Sequence, residues 1–166
     1  MLSKRPQMQT RRAALLGLLA LAGCGLTPAF GTGGQAQVLH NAVQLAAPDT
    51  VAGFRLRERL EERLGVATSP RFGLNVDLTS APTPATITTD GDTTRFNLES
   101  AADWALTDMA GLELATGTVN TFTSYSATGS TVATQAAAND AADRLAVALA
   151  DLIAARLILA AADLPQ

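Results

Sequence analysis

Arg95-Phe96-Asn97-Leu98-Glu99-Ser100-Ala101-Ala102-Asp103-Trp104-Ala105-Leu106-Thr107 is the stretch on which the fold turns. Phe96, Leu98, Ala102, Trp104 and Leu106 fall on one side of a two-residue period, and Arg95, Asn97, Glu99, Asp103 and Thr107 on the other. Successive side chains of a strand point to opposite faces, so the stretch predicts a long strand with one apolar and one polar face. The same rhythm appears upstream, where Phe72, Leu74, Val76 and Leu78 alternate with Arg71, Gly73, Asn75, Asp77 and Thr79. Pro82 and Pro84 interrupt that run, and Thr86 to Thr89 resume it before Asp90-Gly91, a strong turn signal. Downstream, Asp108 to Gly111 turns the chain again. Leu112 to Tyr125 reads as a further strand whose pattern slips near Gly117, as at a bulge. Three consecutive strands therefore form an antiparallel meander with one apolar face.

The flanking segments supply the cover that such a face needs. Val43 and Leu45 alternate with Gln44 ahead of Pro48, a short first strand. Asp49 or Thr50 caps a helix running to about Leu64, with Phe54, Leu60 and Leu64 near one face, Leu56 beside them, and Arg57, Glu58, Glu61 and Glu62 on the wet side. Gly65 stands where a helix end needs a left-handed residue. Behind the Ser/Thr-rich loop Ser124 to Ser130, the segment from Thr131 to about Ala162 has no Gly or Pro and is dense in Ala and Leu. It predicts a helix roughly 45 Å long. Leu145, Leu149, Leu152 and Arg156 share one of its faces, and Asp140 and Arg144 pair one turn apart. The expected architecture is α+β, a two-layer sandwich of two helices on a mostly antiparallel four-stranded sheet in the order β-α-β-β-β-α.

The N-terminus reads as an export device. Lys4, Arg5, Arg11 and Arg12 precede an apolar run from Ala13 to Ala22, too short for the roughly 20 residues of a membrane-spanning helix. The run ends at Leu21-Ala22-Gly23-Cys24. That tetrapeptide resembles the bacterial lipobox, in which the cysteine sulfur takes a diacylglycerol, cleavage falls before the cysteine, and the new amino terminus is usually acylated. Small Ala22 and Gly23 admit a peptidase to the backbone, and the chain's single cysteine lies where the thiol is needed. Two or more acyl chains anchor a protein stably. The expected domains are a signal over 1–23, a flexible Gly/Pro/Thr-rich tether over 24–37 and one folded domain over 38–166. Thr10-Arg11-Arg12 leaves general secretion and twin-arginine export both open, with Ala14 where the latter pattern has Phe.

Four of the 12 basic residues lie in the signal, leaving 8 against 15 acidic ones, a formal charge of −7 on the remainder. That balance argues against a nucleic-acid partner. With Cys24 lipidated there is no disulfide, thiolate nucleophile or zinc site, and no cofactor is expected. Asp90-Gly91-Asp92 lacks the further ligands of a calcium loop and reads as a turn. His40, Asp103 and Ser124 are the only polar candidates for catalysis, and they form no recognisable nucleophile–base motif. The reading is non-enzymatic. Arg95 is one of few exposed cations on the strands, with a phosphate contact or an ion pair to Glu99 or to a neighbouring strand as its alternatives. Phe122 and Tyr125 are candidates either for a partner contact or for pinning the adjacent loop.

Over essentially the mature domain, the chain resembles the lipopolysaccharide-assembly lipoprotein family LptE, in its alphaproteobacterial form. The likeness rests on Gly23-Cys24-Gly25-Leu26-Thr27-Pro28-Ala29-Phe30-Gly31, on Ile87-Thr88-Thr89-Asp90 followed by Arg95-Phe96-Asn97-Leu98, and on Phe122 to Thr134 leading into Asp140-Ala141 and Arg144-Leu145. The resemblance implies two helices on a sheet. It also implies a lipoprotein at the periplasmic face of the outer membrane that plugs an LptD-type β-barrel, assists its assembly and contacts lipopolysaccharide. Gly25 is not the aspartate that retains lipoproteins in the inner membrane. Some members carry basic residues at the second hairpin; here the turn holds Asp90 and Asp92, which favours the barrel role over direct lipid contact. An independent lipid carrier, which needs a closed apolar cavity, and an envelope enzyme are the competing classes.

Overall fold

The computed structural model describes residues 34–89 and 91–165. The expected signal, Cys24, the expected tether up to residue 33 and Asp90 of the expected turn lie outside the described residues. The elements are β1 (Val43–Ala46), α1 (Val51–Leu64), β2 (Phe72–Ile87), β3 (Thr93–Asp108), β4 (Glu113–Ser126) and α2 (Thr131–Ala160). Short 3-10 turns, Gln35–Leu39 and Ala161–Asp163, precede β1 and follow α2. The strands form one sheet in the order β1-β2-β3-β4, with β1 parallel to β2 and the remaining pairs antiparallel. This is the expected α+β sandwich.

Caps and turns have local causes. The Thr50 hydroxyl accepts the Gly53 N–H at 3.0 Å and starts α1. Gly65, at φ +83°, ends it and donates its N–H to Glu61 at 2.8 Å. The Asn41 N–H meets the Leu64 carbonyl at 2.8 Å, tying the helix end to the start of β1. The Asp108 carboxylate accepts the N–H groups of Ala110 and Leu112 at 2.9 and 2.8 Å, which builds the β3–β4 turn.

Leu56, Leu60 and Leu64 from α1 and Leu149, Ile153 and Leu157 from α2 bury against Phe72, Leu74, Trp104 and Leu106 of the sheet. Each such side chain contributes about 1.5–3 kcal/mol by leaving water. Ala36 and Leu39 join the buried set, so the chain enters the domain already packed. A second cluster of Leu98, Ala141 and Leu145, with Tyr125 and Ala142 against it, holds the far half of α2 on the sheet.

Four expectations need correction. Phe54 is not on the buried face of α1: it is 66% exposed, because the stripe is Leu56-Leu60-Leu64 and Phe54 lies two residues, about 200°, around the helix from Leu56. Likewise the α2 stripe passes through Ile153 and Leu157, leaving Leu152 41% exposed and Arg156 outside. Pro82 and Pro84 do not break β2. They pair with Leu98 and Phe96 of β3, and their missing N–H groups fall on the outer side, where β1 has already stopped at the level of Asn75. Finally, β4 is regular at Gly117, opposite Trp104; the register shift lies between Leu106 and Thr107, where Leu114 is the extra residue. The apolar side chain missing at Gly117 is replaced by the Trp104 ring: a Cβ there would stand 3.1 Å from Cζ2.

The ion pairs Arg55–Asp143 and Arg59–Asp151 set α1 beside the middle and C-terminal half of α2, the two helices running in the same direction. The end of the sandwich at which they finish, and at which the chain enters at Gly34, is the base. α2 packs chiefly over β4 and less over β3, and α1 lies towards β1. Beyond Leu78 no part of β2 is covered: every described residue from Thr79 to Thr89 is exposed. The β2 arm of the β2–β3 hairpin is therefore uncovered from Thr79 onward, while its β3 arm stays under α2 at Leu98.

Candidate functional site

Both helices pack on one face of the sheet, so among the described residues the other face is bare. It carries Asn75, Asp77, Thr79, Ala81 and Thr83 from β2, Arg95, Asn97, Glu99, Ala101, Asp103 and Ala105 from β3, and Thr116, Thr118, Asn120, Phe122 and Ser124 from β4. Hydroxyl and amide side chains dominate. The Thr118 hydroxyl donates a short hydrogen bond to Asp103 across the β3–β4 pair, and an Arg95 Nη1 group reaches the Ser124 hydroxyl at 3.4 Å. Glu99 is not its partner. A shallow depression of about 480 Å³ lies in the middle of this face, lined by Thr79, Ala81, Glu99, Asn120, Thr121 and Phe122 among others. Phe122, 69% exposed, is a large apolar side chain lining it.

Phe122 and Tyr125 therefore part company. Tyr125 pairs with Phe96 on the helix side, their rings stacked at 5.5 Å and 18°. It pins the far end of the sheet under α2, and Phe122 faces outward. Arg144 reinforces that pinning: it donates to Thr123 at 3.0 Å and to Asp140 at 2.9 Å, the pairing the sequence predicts. Ser80 and Ser100 share a hydrogen bond of 2.6 Å across β2 and β3, satisfying the buried Ser100.

The remaining candidates do not converge. His40 is exposed at the base, at the end of the first 3-10 turn. Asp103 and Ser124 share the bare face but stand six register positions apart, about 20 Å along the strands. Among the described residues no group of three His, Cys, Asp or Glu could hold a metal ion. The groove between the helices is open and charged, about 450 Å³, lined by Arg55, Glu58, Arg59, Glu62, Asp143, Arg144 and Val147. Hydrogen bonds to Asp151 and Glu62 hold the Arg59 guanidinium above its ordinary pKa, and a hydrogen bond to Glu58 does the same for Arg55. The pairs with Asp143 and Asp151 link α1 to α2, and those with Glu58 and Glu62 lie within α1. α2 is long and apolar enough to cross a membrane by length and composition, with a mean hydropathy of 2.1, but its apolar stripe is core packing.

The geometry thus defines a two-layer α+β domain that presents a hydroxyl-rich sheet face which no other described element covers. The chain belongs to the LptE family, described as lipopolysaccharide-assembly, whose model matches residues 41–157. Solved structures share the fold. A protein from Caulobacter crescentus CB15 superposes with a TM-score of 0.65 at 24% identity, covering 80% of this chain and 98% of its own. A minor lipoprotein from Acinetobacter baumannii gives 0.58 at 19%, over 72% and 92% of the two chains. The rare lipoprotein B from Shewanella oneidensis gives 0.55 at 11%, over 70% and 91%. No curated protein matches the chain.

Proposed function

We propose that the chain is exported, lipidated at Cys24 and held at the periplasmic face of the outer membrane. There it plugs an LptD-type β-barrel, and the pair inserts lipopolysaccharide into the outer leaflet. The observation that carries this reading is the family match over residues 41–157. The bare face is its physical counterpart. Large barrels enclose a polar, water-filled interior, and a plug in such a lumen needs side chains that hydrogen-bond without demanding burial. Thr79, Thr83, Asn97, Thr116, Thr118, Asn120 and Ser124 are of that kind. The role is scaffolding rather than catalysis. Arg95 and Phe122, on the same face, are the proposed contacts with the barrel or the glycolipid, and Tyr125 acts from behind by fixing the end of β4.

In-cell photocrosslinking tests this. A photoreactive residue at Asn97 or Phe122 is expected to capture one large outer-membrane barrel protein. Capture of only soluble periplasmic proteins, or none, would overturn the reading.

A further inference from the structure

The two long edges of the sheet are built differently. The outer edge of β2 is covered at the base by β1 and carries Pro82 and Pro84 beyond it, two devices that stop a sheet from adding strands. The outer edge of β4 has neither. From Ala115 to Ser126 the strand is Ala-Thr-Gly-Thr-Val-Asn-Thr-Phe-Thr-Ser-Tyr-Ser, with no proline and no charged residue, in a chain with 15 acidic residues. The Ala127 N–H bonds the Thr94 carbonyl across the ladder. By the alternation of an antiparallel pair, odd-numbered residues of this stretch turn their backbone groups to β3, and Thr116, Thr118, Asn120, Phe122 and Ser124 turn theirs outward. None of these outward groups has a backbone partner among the described residues.

A second feature lies alongside. Asp143 and Asp151 of α2 face α1 through their ion pairs. At 100° per residue, Leu152 and Leu159 lie on the flank turned away from α1. They are 41% and 70% exposed. Because α2 sits chiefly over β4, that flank overhangs the position a fifth strand would take.

We infer that the β4 edge is a strand-addition site: an extended segment of the enclosing barrel partner pairs with Thr116–Ser124, its alternate apolar side chains tucked beneath Leu152 and Leu159. The occupant must be an extended backbone, since only that supplies donors and acceptors at the ladder spacing. It is not a second copy. Antiparallel pairing of two β4 edges puts both α2 helices on the same face over neighbouring strands, about 5 Å apart, where packed helices need about 8–10 Å. This inference rests on the barrel reading above and names the contact within it.

The test replaces one outward N–H. In the full-length lipoprotein, Asn120→Pro removes a donor at an edge position without touching the β3 ladder, and Asn120→Ala changes the side chain alone. The readout is the amount of barrel protein that co-purifies from detergent-solubilised membranes. N120A sets the baseline for loss of the side chain, and N120P is expected to recover about tenfold less barrel than N120A, as for one buried carbonyl left unpaired. Unchanged thermal unfolding of purified N120P shows that the domain still folds; if it does not, Thr118→Pro takes its place. Equal recovery of barrel with the proline and alanine variants would overturn the edge assignment, as would crosslinking of β4 to a second copy. Absence of any barrel with the wild-type protein would instead overturn the barrel reading.

Discussion

Gly117 and Trp104 give the most exacting test of the packing. Gly117 faces the helix side of β4, where the alternation asks for an apolar residue, and the indole of Trp104 lies against its backbone. A Cβ built there stands 3.1 Å from Cζ2, 3.3 Å from Cε2 and 3.4 Å from Nε1. In an open strand, replacing glycine by alanine gains about 0.5–1 kcal/mol by restricting the unfolded chain. Here the added methyl meets a ring that is itself only 6% exposed and cannot swing away, and overpacking a core costs about 1–3 kcal/mol. Gly117→Ala should therefore destabilise by about 0.5–2 kcal/mol net, and Gly117→Val by more, although valine is the better strand former. For a folded domain of this size each kcal/mol moves Tm by about 4 °C. Trp104 is the chain's single tryptophan, so the assay is intrinsic fluorescence during thermal unfolding: Tm falls, and the native emission shifts as the ring moves. A Gly117→Val variant as stable as wild type, with unchanged emission, would refute the packing.

Other consequences follow from the same structure. Gly53→Ala should destabilise by about 1–3 kcal/mol despite alanine's helix propensity, because its Cβ would collide with the Pro48 carbonyl oxygen and displace the Thr50 cap; circular dichroism melts report it. Leu60→Ala should cost about 2–5 kcal/mol in chemical denaturation, as a large-to-small change at a fully buried site. Replacing Pro82 and Pro84 together by threonine should leave Tm nearly unchanged but produce concentration-dependent association in sedimentation, since the β2 edge loses its guard.

The sheet was legible because its alternation is strong: Arg95 to Thr107 gave β3 and the face on which both helices lie. Thr50 and Gly65 gave both ends of α1. What was not legible depended on neighbours distant in sequence. Pro82 and Pro84 read as a break because nothing in their own stretch says that β1 stops at the level of Asn75 and frees that edge. Gly117 read as a slip because the group filling its place, Trp104, belongs to another strand. Phe54 was placed inward by hydrophobicity, although Leu56, Leu60 and Leu64 already complete the stripe. Arg95, Phe122 and Tyr125 stand out in the sequence as candidate contacts, but their faces follow only from register: Arg95 and Phe122 on the outer side, Tyr125 under α2. The bare face and the open β4 edge left one trace in the sequence, the uncharged and proline-free run from Ala115 to Ser126.

The barrel role is tested most directly by what accompanies the native protein out of the membrane. Gentle detergent extraction of outer membranes, affinity capture through a C-terminal tag and native mass measurement should give a one-to-one complex of a fatty-acylated chain beginning at Cys24 with a single large β-barrel protein. A protein recovered alone from the soluble periplasm, with Cys24 unmodified, would contradict it.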